Sequence, residues 1–248
     1  MSGVLPQGAW LRRSAPPAPA RVRLVVVPAA GSAASAYRAW LALGDGVEVL
    51  LAQPPGREER FAEPGLESIP ALARALAGAL GELEPPLALL GHSLGALVAF
   101  ETARLLAAAG TAPARLFVAA GAPPPRRPPP APIHTLPDQA FFAAVAALGG
   151  VPPAIAANPE LRALVLPALR ADFTALERYG DGPPPPLDVP IVAFAAQADR
   201  LIGPDDVAGW RAVAGAGFAL HVVPGDHFTP AHAPQNLFPL VRAALEDL

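Results

Sequence analysis

The chain has 248 residues, 52% of them hydrophobic, and a formal net charge of −3, which suits one domain with a sizeable core and provides no basic tract for nucleic acid. It contains no cysteine, which excludes disulfides, thiolate metal sites and a thiol nucleophile. No apolar run approaches the roughly 20 residues of a membrane span and no secretory signal is recognisable, so we expect a soluble, cytoplasmic monomer without membrane or nucleic-acid partners.

Strands and helices alternate in the first half of the chain. Apolar, often β-branched runs predict buried strands at residues 21–28, 46–56, 87–90 and 114–121. Helices are predicted between them at residues 67–83 and 94–110, with Ser68 near the start of the first and Gly110 just past the end of the second. This alternation predicts a parallel sheet with crossover helices.

The alternation then stops in a segment bounded by proline clusters. Residues 123–186 are predicted to be a helical insertion with helices at 138–150 and 158–180. Asn158 is a favourable helix start, and Pro167 is expected to kink or end the second helix.

The alternation resumes towards the C-terminus. Strands are predicted at residues 189–200 and 218–228, and helices at 204–217 and 234–248. The insertion therefore precedes the last two strands of the sheet.

A serine lies between two glycines directly after the third predicted strand, in the pentapeptide GHSLG at residues 91–95. The pentapeptide alone leaves two interpretations: a nucleophile on a sharp strand-to-helix turn, or a polar residue in a buried helix. Because a serine hydroxyl is a weak nucleophile, the first interpretation requires a general base and an acid that orients the base.

Asp199 and His227 meet this requirement. Each follows a predicted strand, as Ser93 does, and ligands of open parallel sheets bind beyond the carboxyl ends of the strands. The chain order of nucleophile, acid and base is that of α/β-hydrolases. The sequence therefore predicts an α/β-hydrolase fold, a mostly parallel central sheet flanked by helices, with Ser93, Asp199 and His227 as catalytic residues.

This chemistry also requires two backbone N–H groups that bind an oxyanion. They are predicted at Leu94, directly after the nucleophile, and at Ala30, in the small-residue loop after the first strand. The alternative for that loop is a simple turn. Gly91 and Gly95 would leave room for close packing around Ser93.

Other polar residues have simpler interpretations. His92 is expected to point away from the Ser93 hydroxyl. Asp205 and Asp206 are alternatives for the acid, although they more readily stabilise the start of the helix there. One histidine is expected to pack within the last strand, His221, and two to lie on the surface, His134 and His232. No spacing of histidines and carboxylates predicts a metal site.

Seven motifs follow one another along nearly the whole chain: WLRR, RVRLVVVPAAGSAASAYRAW, QPPGREERF, LLGHSLGALVAFETARLL, LRADFTALERY, AAQADRLI and GDHF. With them the chain resembles the type II thioesterases, the free-standing editing enzymes of polyketide and nonribosomal peptide biosynthesis. The resemblance implies a single α/β-hydrolase domain over residues 1–248 with a helical lid at 123–186. It assigns the catalytic residues and the oxyanion donors to the same positions.

The resemblance also implies the reaction. The substrates would be acyl thioesters on the phosphopantetheine arm of acyl or peptidyl carrier proteins, hydrolysed through an acyl-serine intermediate without a cofactor of the enzyme's own. The lid would line the acyl chamber, with Phe141, Phe142 and Phe173 as lining candidates. The alternative for these rings is ordinary helix packing.

The chain departs from the family in its early loop, where Ala29 and Ser32 replace a histidine and a glycine. These changes leave the shape of the loop open. In the PGREERF segment, Arg57 and Arg60 are expected to support the active-site loops or to meet an acidic partner.

Three alternatives to this function remain: a carboxylesterase or lipase with the same triad, an acyltransferase or cyclase, and a non-catalytic carrier-binding protein that retains the fold. The start at Met1 without a carrier domain favours a free-standing hydrolase over a cyclising domain. The adjacent Arg126 and Arg127 are expected to help dock an acidic carrier protein.

Overall fold

The computed structural model describes residues 4–7, 10–14, 20–44, 46–81, 83–84, 86–125, 131–180, 182 and 184–248. Its strands are β1 Val4–Gln7, β2 Leu11–Ser14, β3 Val22–Val27, β4 Val47–Ala52, β5 Leu87–His92, β6 Arg115–Ala119, β7 Ile191–Ala196 and β8 Phe218–Val223. Within these ranges the eight strands form one sheet in the spatial order β1-β2-β4-β3-β5-β6-β7-β8.

Strands β3 to β8 are parallel, as the alternation of strands and helices predicts. The first two strands form an antiparallel hairpin that pairs with β4. The sequence did not predict this hairpin, because strands of four residues that contain Pro6 or the pair Arg12 and Arg13 carry little apolar pattern.

The α-helices of the described residues are α1 Ile69–Leu80, α2 Leu94–Ala108, α3 Asp138–Ala147, α4 Pro153–Ala157, α5 Pro159–Glu177, α6 Pro204–Ala208, α7 Thr229–His232 and α8 Phe238–Leu245. The predicted helix ends at Ser68 and Asn158 are confirmed. The Asn158 side chain accepts hydrogen bonds from the N–H groups of Glu160 and Leu161, at 2.9 and 3.2 Å. Gly110 follows α2 in the left-handed conformation, with φ of +79°, that ends many helices.

Two local predictions need correction. Of the two outcomes expected at Pro167, a kink or an end, the end is wrong, because α5 continues through Pro167. The single helix predicted at 204–217 is instead the short helix α6 followed by a 3-10 turn, Gly209–Val213.

Both faces of the sheet are covered, which explains why the strands read as continuous apolar runs. On β3, Val25 and Val27 pack in a cluster with α1 and α2, whereas Leu24 and Val26 pack on the opposite face around Trp40. Successive residues of a strand point to opposite faces, so one run of valines supplies both cores.

The helices α3, α4 and α5 lie between β6 and β7, within the predicted insertion. A small cluster of Phe141, Val145, Leu169 and Phe173 joins α3 to α5. Helix α5 is largely exposed before Pro167 and, apart from the partly exposed Arg170, buried from Ala168 to Ala175. We call residues 131–180 the lid.

Candidate active site

The three predicted catalytic residues meet at the edge of the sheet where its parallel strands end. Ser93 follows β5, Asp199 follows β7 and His227 follows β8. The Nε2 atom of His227 lies 3.1 Å from the Ser93 hydroxyl oxygen, and its Nδ1 atom lies 2.8 Å from an Asp199 carboxylate oxygen. These contacts are those that proton transfer from serine to histidine requires.

Ser93 stands on a strained turn between β5 and α2. Its φ of 55° and ψ of −114° are uncommon for a residue with a side chain. A Cβ on Gly91 would lie 2.5 Å from the Cα of Ala96, and one on Gly95 would lie 2.6 Å from the carbonyl oxygen of Pro28. Only glycine at both positions allows the strand and helix to approach so closely, as the sequence indicated.

The carboxylate of Asp199 is fully buried and satisfied. One oxygen accepts the N–H groups of Leu201 and Ile202, at 2.8 and 3.0 Å, while the other faces His227. Burial raises the pKa of Asp199, but the hydrogen bonds from His227 and the two N–H groups outweigh it, so the net pKa is lowered. Asp199 is therefore an anion that fixes the orientation of His227.

The alternative acids serve the helix instead. Asp206 accepts the N–H of Gly203 at the start of α6, at 2.9 Å, and Asp205 lies beside it in the first turn. In the described residues neither carboxylate forms a hydrogen bond with His227. The helix-start interpretation of both residues agrees with the structure.

His92 points away from the Ser93 hydroxyl, as predicted, and joins two active-site loops. Its Nε2 atom lies 2.7 Å from the carbonyl oxygen of His227, and its Nδ1 atom lies 2.6 Å from the Tyr37 hydroxyl. Because a carbonyl oxygen only accepts, Nε2 carries the proton and Nδ1 accepts from Tyr37. The Tyr37 oxygen in turn accepts the N–H of Ala29, at 2.9 Å.

This hydrogen-bonded chain is buried and uncharged. Burial, aided by the nearby His227, lowers the pKa of His92 to about 3. Burial also raises the pKa of Tyr37 above its ordinary range. Neither group changes protonation state near neutral pH, so their role is to hold the loops in place.

The two predicted oxyanion donors, Ala30 and Leu94, share one feature of their backbone N–H groups. Within the described part of the chain, neither the N–H of Ala30 nor that of Leu94 donates a hydrogen bond. The neighbours of Ala30 are both fixed: Ala29 donates to Tyr37, and Gly31, with φ of +72°, donates to the Asp172 carboxylate at 2.7 Å. The early loop is therefore well supported despite its departures from the family pattern.

An apolar cavity of about 530 Å³ opens beside Ser93 and His227, between the sheet edge and the lid. Of the predicted lining rings, Phe173 faces this cavity. Phe141 and Phe142 do not. Phe141 packs edge-to-face behind Phe173, at 5.7 Å between ring centroids, and Phe142 lies under the guanidinium of Arg162. The helix-packing alternative therefore holds for these two.

Both arginines of the PGREERF segment are held inside the protein by other residues. Arg57 forms a buried ion pair with Asp172. Arg60 donates to the Gln53 carbonyl at 2.8 Å and pairs with Glu63. Neither guanidinium faces outward for an acidic partner.

The lid contains two buried or nearly buried polar contacts that the sequence did not predict. His134 is not a surface residue, because its side chain is only 11% exposed and lies 2.5 Å from the Glu177 carboxylate. Asp172 went unnoticed, although a lone acid on the apolar face of a helix that includes Leu169 and Phe173 is a recognisable signal. The predictions for the other two histidines agree with the structure. His221, in β8, stacks on Phe194 of β7, and His232 is exposed.

No group of three or more histidine, cysteine or acidic residues is placed to hold a metal ion in the described ranges. Over the same residues, none of the helices combines the length and hydrophobicity needed to cross a membrane. Arg126 and Arg127 lie outside the described residues.

Known proteins resemble this chain along most of its length. The family model for the thioesterase domain matches residues 22–245. Thioesterase PikA5 of Streptomyces venezuelae is 41% identical over 225 residues, which cover 89% of this chain and 80% of that protein. The gramicidin S biosynthesis protein GrsT of Aneurinibacillus migulanus is 35% identical over 216 residues, which cover 84% and 83%.

Solved structures agree with these relatives. YbtT, a type II thioesterase from the yersiniabactin NRPS/PKS biosynthetic pathway, has a TM-score of 0.88 and 33% identity, over 96% of this chain and 99% of its own. RedJ, a thioesterase from the prodiginine pathway of Streptomyces coelicolor, has a TM-score of 0.82 and 39% identity, over 94% and 90%. The likeness therefore extends from the parallel strands to the final helix.

Proposed function

The chain belongs to the thioesterase domain family, and from this premise we propose that it is an editing hydrolase of polyketide or nonribosomal peptide biosynthesis. It removes acyl groups from the phosphopantetheine arms of carrier proteins. The observation that carries the proposal is the opening of an apolar cavity at the Ser93 hydroxyl, with His227 and Asp199 aligned behind it.

The reaction begins when His227 takes the proton of Ser93 as the hydroxyl oxygen attacks the thioester carbonyl. Asp199, already an anion, stabilises the imidazolium that forms and keeps its Nδ1 proton in place. The N–H groups of Leu94 and Ala30 bind the negative oxygen of the tetrahedral intermediate. An oxyanion donor of this kind is typically worth about a hundred- to a thousand-fold in rate.

The intermediate collapses when the carbon–sulfur bond breaks. His227 returns its proton to the pantetheine sulfur, which leaves as a thiol, and the acyl group remains on Ser93 as an ester. Water then enters, gives a proton to His227 and attacks the ester. The acid is released, and His227 returns the proton to the Ser93 oxygen.

The acyl chain occupies the cavity between the sheet edge and the lid. Apolar side chains from both regions line it, among them Leu97, Val145, Leu169 and Phe173. Glu177 and Tyr179 add polar groups to the same lining. The proposed partner is therefore an acyl or peptidyl carrier protein, and the pantetheine that it carries makes a cofactor of the enzyme's own unnecessary.

The test follows the intact mass of an acyl-phosphopantetheinyl carrier protein incubated with the wild type or with Ser93→Ala. Removal of such a nucleophile costs on the order of a million-fold in kcat. We expect the acyl mass to disappear only with the wild type. Ser35→Ala, which changes an exposed serine, is the matched control and should behave as the wild type.

The alternative functions give different outcomes. A carboxylesterase would cleave a small oxygen ester and leave the carrier thioester intact. An acyltransferase or cyclase would transfer the acyl group to an added amine or alcohol, or close a ring, in place of hydrolysis. A non-catalytic carrier-binding protein would bind the acyl carrier equally well with Ser93 or alanine and cleave nothing.

A further inference from the structure

The loop that contains Ala30 is held by a residue of the lid. The N–H of Gly31 donates to Oδ2 of Asp172, at 2.7 Å. Asp172 lies in the buried half of α5 and is only 1% exposed. The peptide next to a proposed oxyanion donor is thus bonded to a buried carboxylate from a separate element of the fold.

Arg57 completes this arrangement. Its Nη1 atom donates to Oδ2 of Asp172 at 2.8 Å and to the carbonyl oxygen of Ser32 at 3.0 Å, and its Nη2 atom donates to Oδ1 at 3.0 Å. Asp172 therefore accepts the N–H of Gly31, while Arg57 binds the carbonyl oxygen of the following residue, Ser32. A bidentate, charge-assisted ion pair such as that of Arg57 and Asp172 is geometrically specific as well as strong.

Small residues allow α5 to lie directly on these segments. A Cβ on Gly31 would lie 2.5 Å from Leu169, and a Cβ on Gly65 would lie 2.6 Å from the Cβ of Ala171. Leu169 and Asp172 are on the same face of α5, one turn apart. The packing of Leu169 against Gly31 and the hydrogen bond from Gly31 to Asp172 therefore both come from one face of α5, and they form together when this face packs on the loop.

We propose that Asp172 and Arg57 are positioning residues that aim the Ala30 N–H at the oxyanion, so that the oxyanion hole is complete only when α5 is seated. The inference rests on the proposed function, because it assigns the pair to that reaction. Neither residue lines the apolar cavity beside Ser93; both act through the loop. The cost of a misplaced donor falls on the transition state and the tetrahedral intermediate, since the carbonyl oxygen gains negative charge only there and not in the bound substrate.

The rival explanation is a buried ion pair that merely stabilises the lid. Two variants separate the explanations. Asp172→Asn keeps the size of the side chain, but its amide group must turn an N–H towards either Gly31 or Arg57. The double variant Asp172→Leu with Arg57→Met replaces the pair with apolar groups of similar volume, a change that is often neutral for stability.

A matched control is available in the same lid. Asp138 pairs with Arg170 at 2.8 Å, on the surface and away from the early loop. Asp138→Asn therefore makes the same chemical change to a lid ion pair without affecting Gly31.

The measurements are kcat and KM on acyl carrier protein, the thermal unfolding midpoint, and the binding of two acyl-pantetheine analogues. A trifluoromethyl ketone adds the Ser93 oxygen and carries the oxyanion, whereas an amide analogue mimics only the ground state. For both Asp172 variants we expect kcat to fall about 10- to 100-fold, with a parallel loss of trifluoromethyl ketone affinity. KM and amide affinity should stay near wild type in both variants. The unfolding midpoint should stay near wild type in the double variant but fall in Asp172→Asn, which leaves the Arg57 cation buried without a counter-charge. Asp138→Asn should change none of these values.

Two results would overturn the proposal. One is unchanged kcat and ketone affinity in both variants. The other is a joint loss of stability, amide affinity and activity, or failure of both variants to fold, which assigns the pair to stability alone. Failure of the proposed function looks different: the wild type would leave every carrier thioester intact, and ketone binding and cleavage of a small oxygen ester would still test the positioning role.

Discussion

The sheet edge and the lid of this protein are built in different ways. At Gly95, in the turn that contains Ser93, the nearest neighbours are backbone atoms: a Cβ there would lie 2.6 Å from the carbonyl oxygen of Pro28. In the lid, the corresponding neighbours are side chains: a Cβ on Gly150 would meet only the ring of Phe228, at 3.4 Å. The lid core is one small cluster, whereas the sheet has extensive cores on both faces.

This difference assigns separate tasks to the two regions. Proton transfer and oxyanion binding require atoms held to within a fraction of an ångström, which packed backbone provides. In the proposed function, acyl recognition falls to the cavity side of the lid, where side chains rather than backbone form the surface. Asp172, through Gly31, and Tyr179, through Glu101, are hydrogen-bonded contacts between the lid and the rest of the fold.

Among the changes that compare the two regions, we expect the largest effect from Asp199, the buried carboxylate at the sheet edge. Asp199→Asn should lower kcat about ten-thousand-fold for every acyl group tested, because the amide favours the wrong tautomer of His227. Steady-state kinetics on carrier-bound and small ester substrates check this. Asp206→Asn, at the start of α6, should change kcat less than twofold. Equal losses in the two variants would show that the acid was misassigned.

A glycine comparison tests the rigidity of the two regions. Gly95→Ala should destabilise the protein by about 3 kcal/mol or more, because the new methyl meets backbone that cannot move. Gly150→Ala should cost less than about 1 kcal/mol, since a side chain can shift aside. Urea unfolding of both variants measures the difference, and similar costs would remove the contrast between sheet and lid.

Buried His92 makes stability depend on pH. Its pKa is about 3 in the folded protein and near 6.5 when unfolded, so below pH 6.5 the unfolded chain binds a proton that the folded chain does not. The contribution of His92 to the free energy of unfolding is complete above pH 6.5 and is lost as the pH falls towards 3. At pH 5 the loss is about 2 kcal/mol. Unfolding curves at pH 7 and pH 5, for the wild type and His92→Gln, test this. The same pH slope in both would contradict it.

The smallest effect concerns the lid. Phe173→Ala enlarges the cavity and should shift the preference towards bulkier acyl groups by about tenfold in relative kcat/KM, with little change for a small ester. Phe142→Ala, which removes a ring outside the cavity, should lower stability and leave the preference unchanged. Competition between carrier proteins with short and long acyl groups measures the shift. An equal shift in both variants would mean that the cavity lining has been misidentified.

Much of the fold was readable because its signals are local. Parallel strands buried on both faces give continuous apolar runs, and helix ends such as Asn158 carry their own capping chemistry. The N-terminal hairpin gave no such signal. It is held by pairing with β4, a strand far along the chain, rather than by an apolar pattern of its own. The predicted helix end at Pro167 is wrong for a related reason: packing of the buried half of α5 outweighs the local cost of proline in a helix.

The sequence by itself determined which side chains would lie at the carboxyl edge of the sheet, because Ser93, Asp199 and His227 each follow a strand and parallel strands end at one edge. Only the tertiary structure decided how the loops around them are held. The partners of Gly31 and Ala29 are Asp172 and Tyr37, on other elements of the fold. Such contacts depend on the approach of one element to another, and no spacing along the chain specifies that approach.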